Sequence, residues 1–142
     1  MKIFLDANIL VSVLNKEYPL FTYSSRVLSL MDNPKFQVYT SPICLAIAFY
    51  FAEKKSGTEL AKKKMELLCN KIEIALADKS TVINTIQNKS IRDFEDGLEY
   101  YSAEAAACKC IITEDLEDFF FADIEVLDSQ SFLNKYVMSY TP

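Results

Sequence analysis

The stretch that decides the fold is residues 2–8, Lys2-Ile3-Phe4-Leu5-Asp6-Ala7-Asn8. Its first four residues read as a short buried strand because three of them are apolar in succession. Asp6 follows at the carboxyl end of that strand, and the next residues can open a helix with Asp6 or Asn8 as its cap. A buried strand that leads directly into a helix is typical of an α/β fold.

Strand-like and helical runs alternate along the rest of the chain. The further strands are predicted at 36–40, 72–76, 110–113 and 124–127. The further helices are predicted at 22–31, from Ser41-Pro42 to the break at Ser56-Gly57, and at 58–69, 78–88, 93–107 and 128–136. This alternation predicts a three-layer α/β/α sandwich with a mostly parallel sheet of four to five strands. With 142 residues and no linker or repeat, a single domain over residues 1–142 is expected.

Two helices carry specific expectations about burial. The helix after Ser41-Pro42 is apolar on nearly every side through Phe51, which predicts that it is deeply buried. The helix that starts at Thr58 is amphipathic. Its candidate core residues are Leu60, Met65, Leu67 and Leu68.

Composition excludes several classes of chemistry. There is no histidine, so the chain cannot contain a Ser-His or Cys-His nucleophile or a His-ligated zinc. The only glycines are Gly57 and Gly97, which excludes glycine-rich dinucleotide and P-loop motifs. A net charge of −5 counts mildly against a simple nucleic-acid-binding module, but it does not count against a metal nuclease, whose site must itself be negative.

The four cysteines show no paired spacing typical of a zinc site, and we expect them to be reduced and structural. Cys108 and Cys110 would lie on one face of a strand as buried apolar residues. The amino terminus lacks the pattern of a signal peptide, and no apolar run approaches membrane-spanning length. A cytoplasmic protein without membrane contact is therefore expected.

Acidic residues recur where ligands bind in open parallel sheets, beyond the carboxyl ends of the strands. Asp6 follows the first strand, Asp115 follows the strand at 110–113, and Asp93-Phe94-Glu95-Asp96 begins the helix before that strand. Each aspartate alone is most often a cap or a turn residue. Together they would repel one another unless a hard divalent cation neutralised them. The joint placement therefore predicts a Mg²⁺ or Mn²⁺ site that can activate water at a phosphodiester.

Three stretches of the chain resemble the signature motifs of the PIN-domain family. They are Ile3-Phe4-Leu5-Asp6-Ala7-Asn8-Ile9-Leu10, Asp93-Phe94-Glu95-Asp96-Gly97-Leu98-Glu99-Tyr100 and Cys110-Ile111-Ile112-Thr113-Glu114-Asp115-Leu116-Glu117-Asp118-Phe119. They occur in the family's order and at fitting spacing. The chain looks most similar to the prokaryotic PIN proteins that include the toxins of toxin–antitoxin pairs.

The resemblance implies a metal-dependent endoribonuclease that cleaves RNA, with a possible antitoxin protein as partner. It implies that Asp6, Asp96 and Asp115 are the metal-binding and catalytic acids. Asn8 and Thr113 would be polar residues beside them, and Asp93 and Asp118 would have supporting roles.

The chain departs from the family pattern at one position. The helix after Ser41-Pro42 usually carries an acidic or amide residue near its start, and the matching residue here is Ile47. Isoleucine cannot bind a metal, and Glu53, six residues further on, is expected to face elsewhere. Glu99 follows Asp96 by three residues and shares its helical face, so it could partly compensate. Reduced or lost nuclease activity is therefore a second hypothesis.

Two alternatives to an active nuclease remain at this point. One is a degenerate PIN domain that binds RNA or a protein without cleaving, which Ile47 favours. The other is a flavodoxin-like receiver domain, whose clustered aspartates also bind Mg²⁺ at strand ends. A receiver needs a phosphoacceptor Asp in mid-chain and a strand-end Lys near its carboxyl terminus, and neither is convincingly placed here.

Surface features allow two interpretations each. The lysines at 54–55 and 62–64 could contact RNA phosphates or could form a solvated helix face, and the second is favoured. The aromatic runs 49–51 and 119–121 could stack on bases, but core or oligomer packing is favoured, with Phe119 anchoring the loop after Asp115. An apolar stripe on the first helix could mediate a homodimer; its residues are Ile9, Leu10, Val13 and Leu14.

Overall fold

The computed structural model describes residues 1–138, and its five strands form one all-parallel sheet in the order β3-β2-β1-β4-β5. The strands are β1 (Lys2–Leu5), β2 (Gln37–Thr40), β3 (Glu73–Ile74), β4 (Cys110–Ile112) and β5 (Glu125–Leu127). The helices are α1 (Ala7–Leu14), α2 (Phe21–Leu28), α3 (Pro42–Ser56), α4 (Thr58–Cys69), α5 (Lys79–Gln87), α6 (Phe94–Ala105) and α7 (Ser129–Phe132).

Both faces of the sheet are covered, which confirms the predicted α/β/α sandwich. Ile3, Phe4 and Leu5 of β1 are all fully buried although successive side chains of a strand point to opposite faces. Every residue of β4 is fully buried as well. The strand order also excludes the receiver interpretation, because doubly wound receivers have the order 2-1-3-4-5.

The ends of the two central strands lie side by side. Leu5 pairs with Ile112 in the parallel register of β1 and β4. The backbone N–H of Asp6 donates to the carbonyl of Ile112 at 3.0 Å, and the hydroxyl of Thr40 donates to the carbonyl of Leu5 at 2.9 Å. The residues that follow β1 and β4 therefore lie next to each other at the carboxyl-terminal edge of the sheet, near its centre.

The prediction that α3 is deeply buried is wrong. Only Cys44, Ala48 and Ala52, spaced by four residues, are fully buried, whereas Tyr50 is 54% exposed. An outer-layer helix contacts its sheet along one stripe, so apolar residues on its other faces remain near the surface. Phe51, at 44% exposure, belongs to that outer side.

The core of α4 also differs from expectation. Leu60 and Leu67 are exposed, and Leu68 and the small Ala61 are the buried residues. Met65 is only partly buried. The helix thus packs through a narrower stripe than its apolar content predicts.

Segments between and after the predicted elements add detail. The helix predicted at 22–31 ends at Leu28 and continues as a 3₁₀ turn over Ser29–Asp32. A further 3₁₀ turn, Leu116–Phe119, lies directly after Asp115 and was not predicted. The helix predicted at 128–136 becomes a π-helical turn over Leu133–Val137. Within residues 1–138, no helix is long and apolar enough to cross a membrane.

The apolar stripe expected on α1 does not form a free surface. Ile9, Leu10 and Leu14 are buried within the chain's own core, and Val13 is partly buried against it. These residues therefore do not provide the homodimer interface that the sequence suggested. Phe119 is buried at 2% exposure, consistent with its expected role as the anchor of the loop after Asp115.

Candidate metal centre in an acidic cleft

Asp6 occupies the junction between β1 and α1. It is the N-cap of α1, and its Oδ1 accepts a hydrogen bond from the Ala7 N–H at 2.6 Å. Its Oδ2 accepts from the hydroxyl of Thr113 at 2.7 Å, so groups that follow each of the two central strands hold the carboxylate. Only 7% of Asp6 is exposed, and its orientation is therefore fixed by protein donors rather than by solvent.

The amide of Asn8 joins the acids that follow β1 and β4. Its Nδ2 lies 3.4 Å from Oδ2 of Asp6 and 3.1 Å from Oδ2 of Asp115. Its Oδ1 accepts from the Glu114 N–H at 3.3 Å, which fixes the amide orientation. Thr113 completes the group, because its hydroxyl oxygen accepts from the Asp115 N–H at 3.0 Å. Asp6, Asn8, Thr113 and Asp115 therefore form one hydrogen-bonded constellation.

The first turn of α6 brings further acids to the same place. Asp93 is the N-cap, and its Oδ1 accepts from the Glu95 N–H at 2.9 Å. Burial, and then repulsion from Asp93, Asp118 and Asp6, raises the pKa of Asp96 to about 7. Asp93, Glu95 and Asp96 line the same cleft as Asp6, Asn8 and Asp115, so the α6 acids face the constellation at the strand ends.

These side chains line one open cleft of about 450 Å³. The sequence-predicted residues on its wall are Asp6, Asn8, Asp93, Asp96, Asp115 and Asp118. Thr113 lies fully buried behind them, and Glu99 is also fully buried. The remaining lining residues are Ala7, Val11, Glu17, Leu20, Ile47, Phe51 and Glu95.

The cleft concentrates negative charge without a protein cation to balance it. Among residues 1–138, neither Lys nor Arg lines it. Burial followed by repulsion from Asp115 raises the pKa of Asp118, and burial followed by repulsion from Asp93 raises the pKa of Glu95. Carboxylates arranged in this way favour a divalent cation with oxygen ligands.

Ile47, which the resemblance to the family singled out, is part of the cleft wall and presents an apolar side chain there. Glu53 does not replace it, since its Oε2 accepts from the Thr58 hydroxyl at 2.9 Å near the end of α3. The expectation that Glu53 faces away from the site is confirmed.

Glu99 lies beneath the cleft instead of sharing its wall with Asp96. It is fully buried, and one carboxylate oxygen of Glu99, one of Asp6 and the sulfur of Cys44 all lie within 4.8 Å of one another. Burial, and then the charge of Asp6, raises the pKa of Glu99 to about 11. Burial and the charges of Glu99 and Asp6 also raise the pKa of the Cys44 thiol well above its ordinary value.

Sequence reasoning did not single out three of these residues. Cys44 was counted among the structural cysteines, although its position in the first turn of α3, after the cap Ser41, directs it toward the strand ends. Glu95 lies within the Asp93–Tyr100 motif, where the resemblance assigns it no role. Glu17 follows α1 in a loop, where no periodic pattern indicates its orientation.

The lysines considered as RNA contacts do not line the cleft. Lys64 instead donates to the carbonyl of Leu14 at 2.9 Å and to Ser56 Oγ at 3.3 Å, and so ties α4 to α1. Lys55 donates to the carbonyl of Asn15. The ammonium groups of these two lysines are therefore engaged in hydrogen bonds within the chain.

Comparison with known proteins agrees with this geometry. A model of the PIN domain family matches residues 2–117. Ribonuclease VapC1 of Aquifex aeolicus (strain VF5) is 27% identical over 139 residues, which span 95% of each chain.

Solved structures show the same fold. VapBC2 from Rickettsia felis, bound to a DNA fragment from their promoter, contains a chain with a TM-score of 0.68 and 21% identity, covering 90% of this chain and 98% of that one. A chain of VapBC-1 from nontypeable Haemophilus influenzae has a TM-score of 0.67 and 19% identity. The match covers 92% of this chain and 99% of that one. Because a family model spans most of its length and its acids converge in one cleft, this chain belongs to the PIN domain family.

Proposed function

We propose that this chain is a metal-dependent endoribonuclease of the toxin–antitoxin type, which cleaves phosphodiester bonds in RNA at the acidic cleft. The observation that supports this most is the amide of Asn8, which reaches both Asp6 and Asp115 from the ends of two neighbouring strands. The similarity to the ribonuclease VapC1 supports RNA as the substrate class.

The donor set of the cleft fits a hard divalent ion. Asp6, Asp96 and Asp115 all offer carboxylate oxygens to the same cleft. Among the described residues, no lysine or arginine lines the cleft and competes for them. Mg²⁺ and Mn²⁺ prefer such ligands. When bound, an ion of this kind supplies an activated water and stabilises charge on the phosphate.

The chain's own residues orient the ligands before any ion arrives. Donors from Ala7 and Thr113 hold the two oxygens of Asp6, so the carboxylate loses little freedom on binding. Asn8 holds the carboxylate of Asp115 in the same way. Asp93 and Asp118 extend the negative field around the cleft and help to attract the cation.

The proposal includes an antitoxin protein as partner and action in the cytoplasm. Two of the similar structures carry the joint name VapBC, which supports a partner protein for their relatives. All four cysteines of this chain are free thiols, as expected of a protein in a reducing compartment.

A second candidate function is RNA or protein binding by a PIN domain that does not cleave. Ile47 supports it, because the cleft wall lacks the acidic group that the family pattern places there. The two functions differ in a single measurable property, the appearance of cut RNA.

The test is cleavage of a generic single-stranded RNA by the full chain, in Mg²⁺, in Mn²⁺ and in EDTA. We expect cleavage with the ions, none in EDTA, and none with Asp6→Asn or Asp96→Asn. Asp123→Asn is the matched control, since Asp123 is exposed and does not line the cleft. Intact RNA with the wild-type chain in both ions, together with measurable RNA affinity, would support the binding module instead.

A further inference from the structure

A buried group of potential ligands lies under the acidic cleft, formed by Asp6, Cys44 and Glu99. One carboxylate oxygen of each acid and the sulfur of Cys44 lie within 4.8 Å of one another. Cys44 and Glu99 are fully buried, and Asp6 is nearly so. A first-row metal ion binds oxygen at about 2.0–2.2 Å and sulfur at about 2.3 Å, so small side-chain shifts bring all three atoms into range of one ion.

Glu99 is the observation that points to a ligand. Both of its carboxylate oxygens are buried, and within residues 1–138 neither makes a hydrogen bond of ordinary geometry; the polar groups beside it are the other two members of the cluster, Asp6 and Cys44. The charged groups that act on it, Asp6 and Asp96, are both negative. A buried carboxyl group without a partner is strongly unfavourable, and a coordinated cation is one of the few groups that satisfies it.

Cys44 determines which cation fits. It lies in the first turn of α3, where the N-cap Ser41 accepts from its backbone N–H at 3.2 Å. A metal ion that binds the sulfur displaces the thiol proton, so coordination itself supplies the thiolate ligand. Sulfur ligands favour borderline first-row transition metals over Mg²⁺.

We propose that Asp6, Cys44 and Glu99 form an inner metal site with one sulfur ligand, which binds a transition-metal ion of the Zn²⁺ or Co²⁺ type in preference to Mg²⁺. Asp6 belongs to both the inner site and the cleft wall, so an ion can enter from the cleft. The inference rests on the proposed function and deepens it. It assigns Glu99, on α6, as the acidic ligand that this chain uses instead of a residue at position 47.

Cobalt spectroscopy tests the inner site directly. The full-length chain, reduced and stripped of metal with EDTA, is titrated with Co²⁺ after the chelator is removed. We expect a thiolate-to-cobalt charge-transfer band that saturates at one ion per chain and persists in a large excess of Mg²⁺. Absence of the band from the folded wild-type chain would overturn the proposal without recourse to any variant.

Variants assign the band to its ligands. Cys44→Ser should abolish the band, whereas Cys69→Ser should keep it. Cys69 is the control for adventitious binding because it is the most accessible of the four cysteines, the others being buried. Glu99→Gln, which keeps the shape of the side chain, should weaken Co²⁺ binding at least about tenfold. A band that survives Cys44→Ser and disappears in Cys69→Ser would contradict the assignment.

The inner site and the nuclease can fail separately. RNA cleavage by the wild-type chain in Mg²⁺ or Mn²⁺ without a cobalt band would overturn the inner site and leave the nuclease standing. A cobalt band that depends on Cys44, in a chain that cuts no RNA with any of these ions, would support the inner site and contradict the nuclease.

Discussion

Thr113 donates its hydroxyl hydrogen to Asp6 across 2.7 Å, although 107 positions separate the two residues in the chain. The bond connects the residue after β4 to the residue after β1, and both side chains are buried. It exists because parallel strands end at the same edge of the sheet and because Leu5 is paired with Ile112. The same hydroxyl oxygen accepts from the Asp115 N–H, so one threonine positions both acids.

Removing this hydroxyl should weaken metal binding more than it disturbs the fold. Thr113→Val keeps the shape of the side chain but leaves Asp6 with one donor fewer. We expect Mn²⁺ affinity to fall roughly ten- to hundredfold, as for other residues that orient metal ligands. Isothermal titration of the EDTA-stripped protein measures it, with Thr113→Ser as the control that retains the hydroxyl. Equal affinity of Thr113→Val and wild type would contradict the role given to Thr113.

The stability of the metal-free protein should fall as pH rises. The pKa of Asp96 is about 7 in the folded chain, mainly because of burial, and an unfolded aspartate titrates near 4. Between these values the folded chain binds more protons than the unfolded chain, so the free energy of unfolding decreases with increasing pH. Solvent screens this half-exposed group, and we expect a loss of about 1 kcal/mol, roughly 3 °C in Tm.

Melting in EDTA at pH 5.5 and pH 8 measures the effect. Asp96→Asn should reduce the difference in Tm between the two pH values, which separates the contribution of Asp96 from that of the overall negative charge. A Tm that increases toward pH 8 in the wild-type chain would contradict the assignment.

Adding an acid to the cleft wall should strengthen metal binding. In Ile47→Glu a carboxylate replaces the apolar side chain that lines the cleft beside Asp6 and Asp96. We expect Mn²⁺ affinity to rise about tenfold because ligand count governs divalent affinity, while added repulsion lowers the Tm of the metal-free protein. Ile47→Gln has the same length without the charge and is the matched control. No gain over Ile47→Gln would count against Ile47 as the missing ligand position.

Gly97, directly after Asp96, allows α5 and α6 to pack closely. A Cβ at this position would lie 2.4 Å from Cγ2 of Thr85 and 3.0 Å from Cδ1 of Ile91. Thr85 cannot easily turn away, since it is buried and its hydroxyl donates to the Thr81 carbonyl at 2.8 Å. Gly97→Ala should therefore destabilise the fold by about 1–3 kcal/mol in urea unfolding, although Ala is the better helix former.

A second substitution checks that steric cause. Thr85→Ser removes the offending methyl group, so Gly97→Ala combined with Thr85→Ser should be more stable than Gly97→Ala alone. If the double variant is no more stable, the overlap with Thr85 does not explain the glycine.

The sheet and its acidic edge could be predicted because both follow from local rules. Alternating strands and helices require a parallel sheet, and the carboxyl ends of its strands lie together. Asp6 and Asp115 are therefore expected near one another, and in the structure both carboxylates accept from the side-chain amide of Asn8. The cap at Asp93 could be predicted for the same reason, since capping depends on a few adjacent residues.

The depth of individual residues could not be predicted. Glu99 was expected on the face of Asp96, and a rotation of α6 that spacing alone does not define places it beneath the cleft beside Cys44. Tyr50 and Leu67 are exposed because they lie on sides of α3 and α4 that do not face the core. An apolar sequence on every side of a helix does not indicate which side meets the core.

Mn²⁺ binding by the EDTA-stripped chain, followed by isothermal titration or by the loss of the free Mn²⁺ paramagnetic resonance signal, tests the convergence of Asp6, Asp96 and Asp115 most directly. The structure predicts saturable binding by the wild type, a strong loss of affinity in each of the three Asp→Asn variants, and unchanged affinity in Asp123→Asn. Binding that none of the three variants weakens would show that these carboxylates do not share an ion.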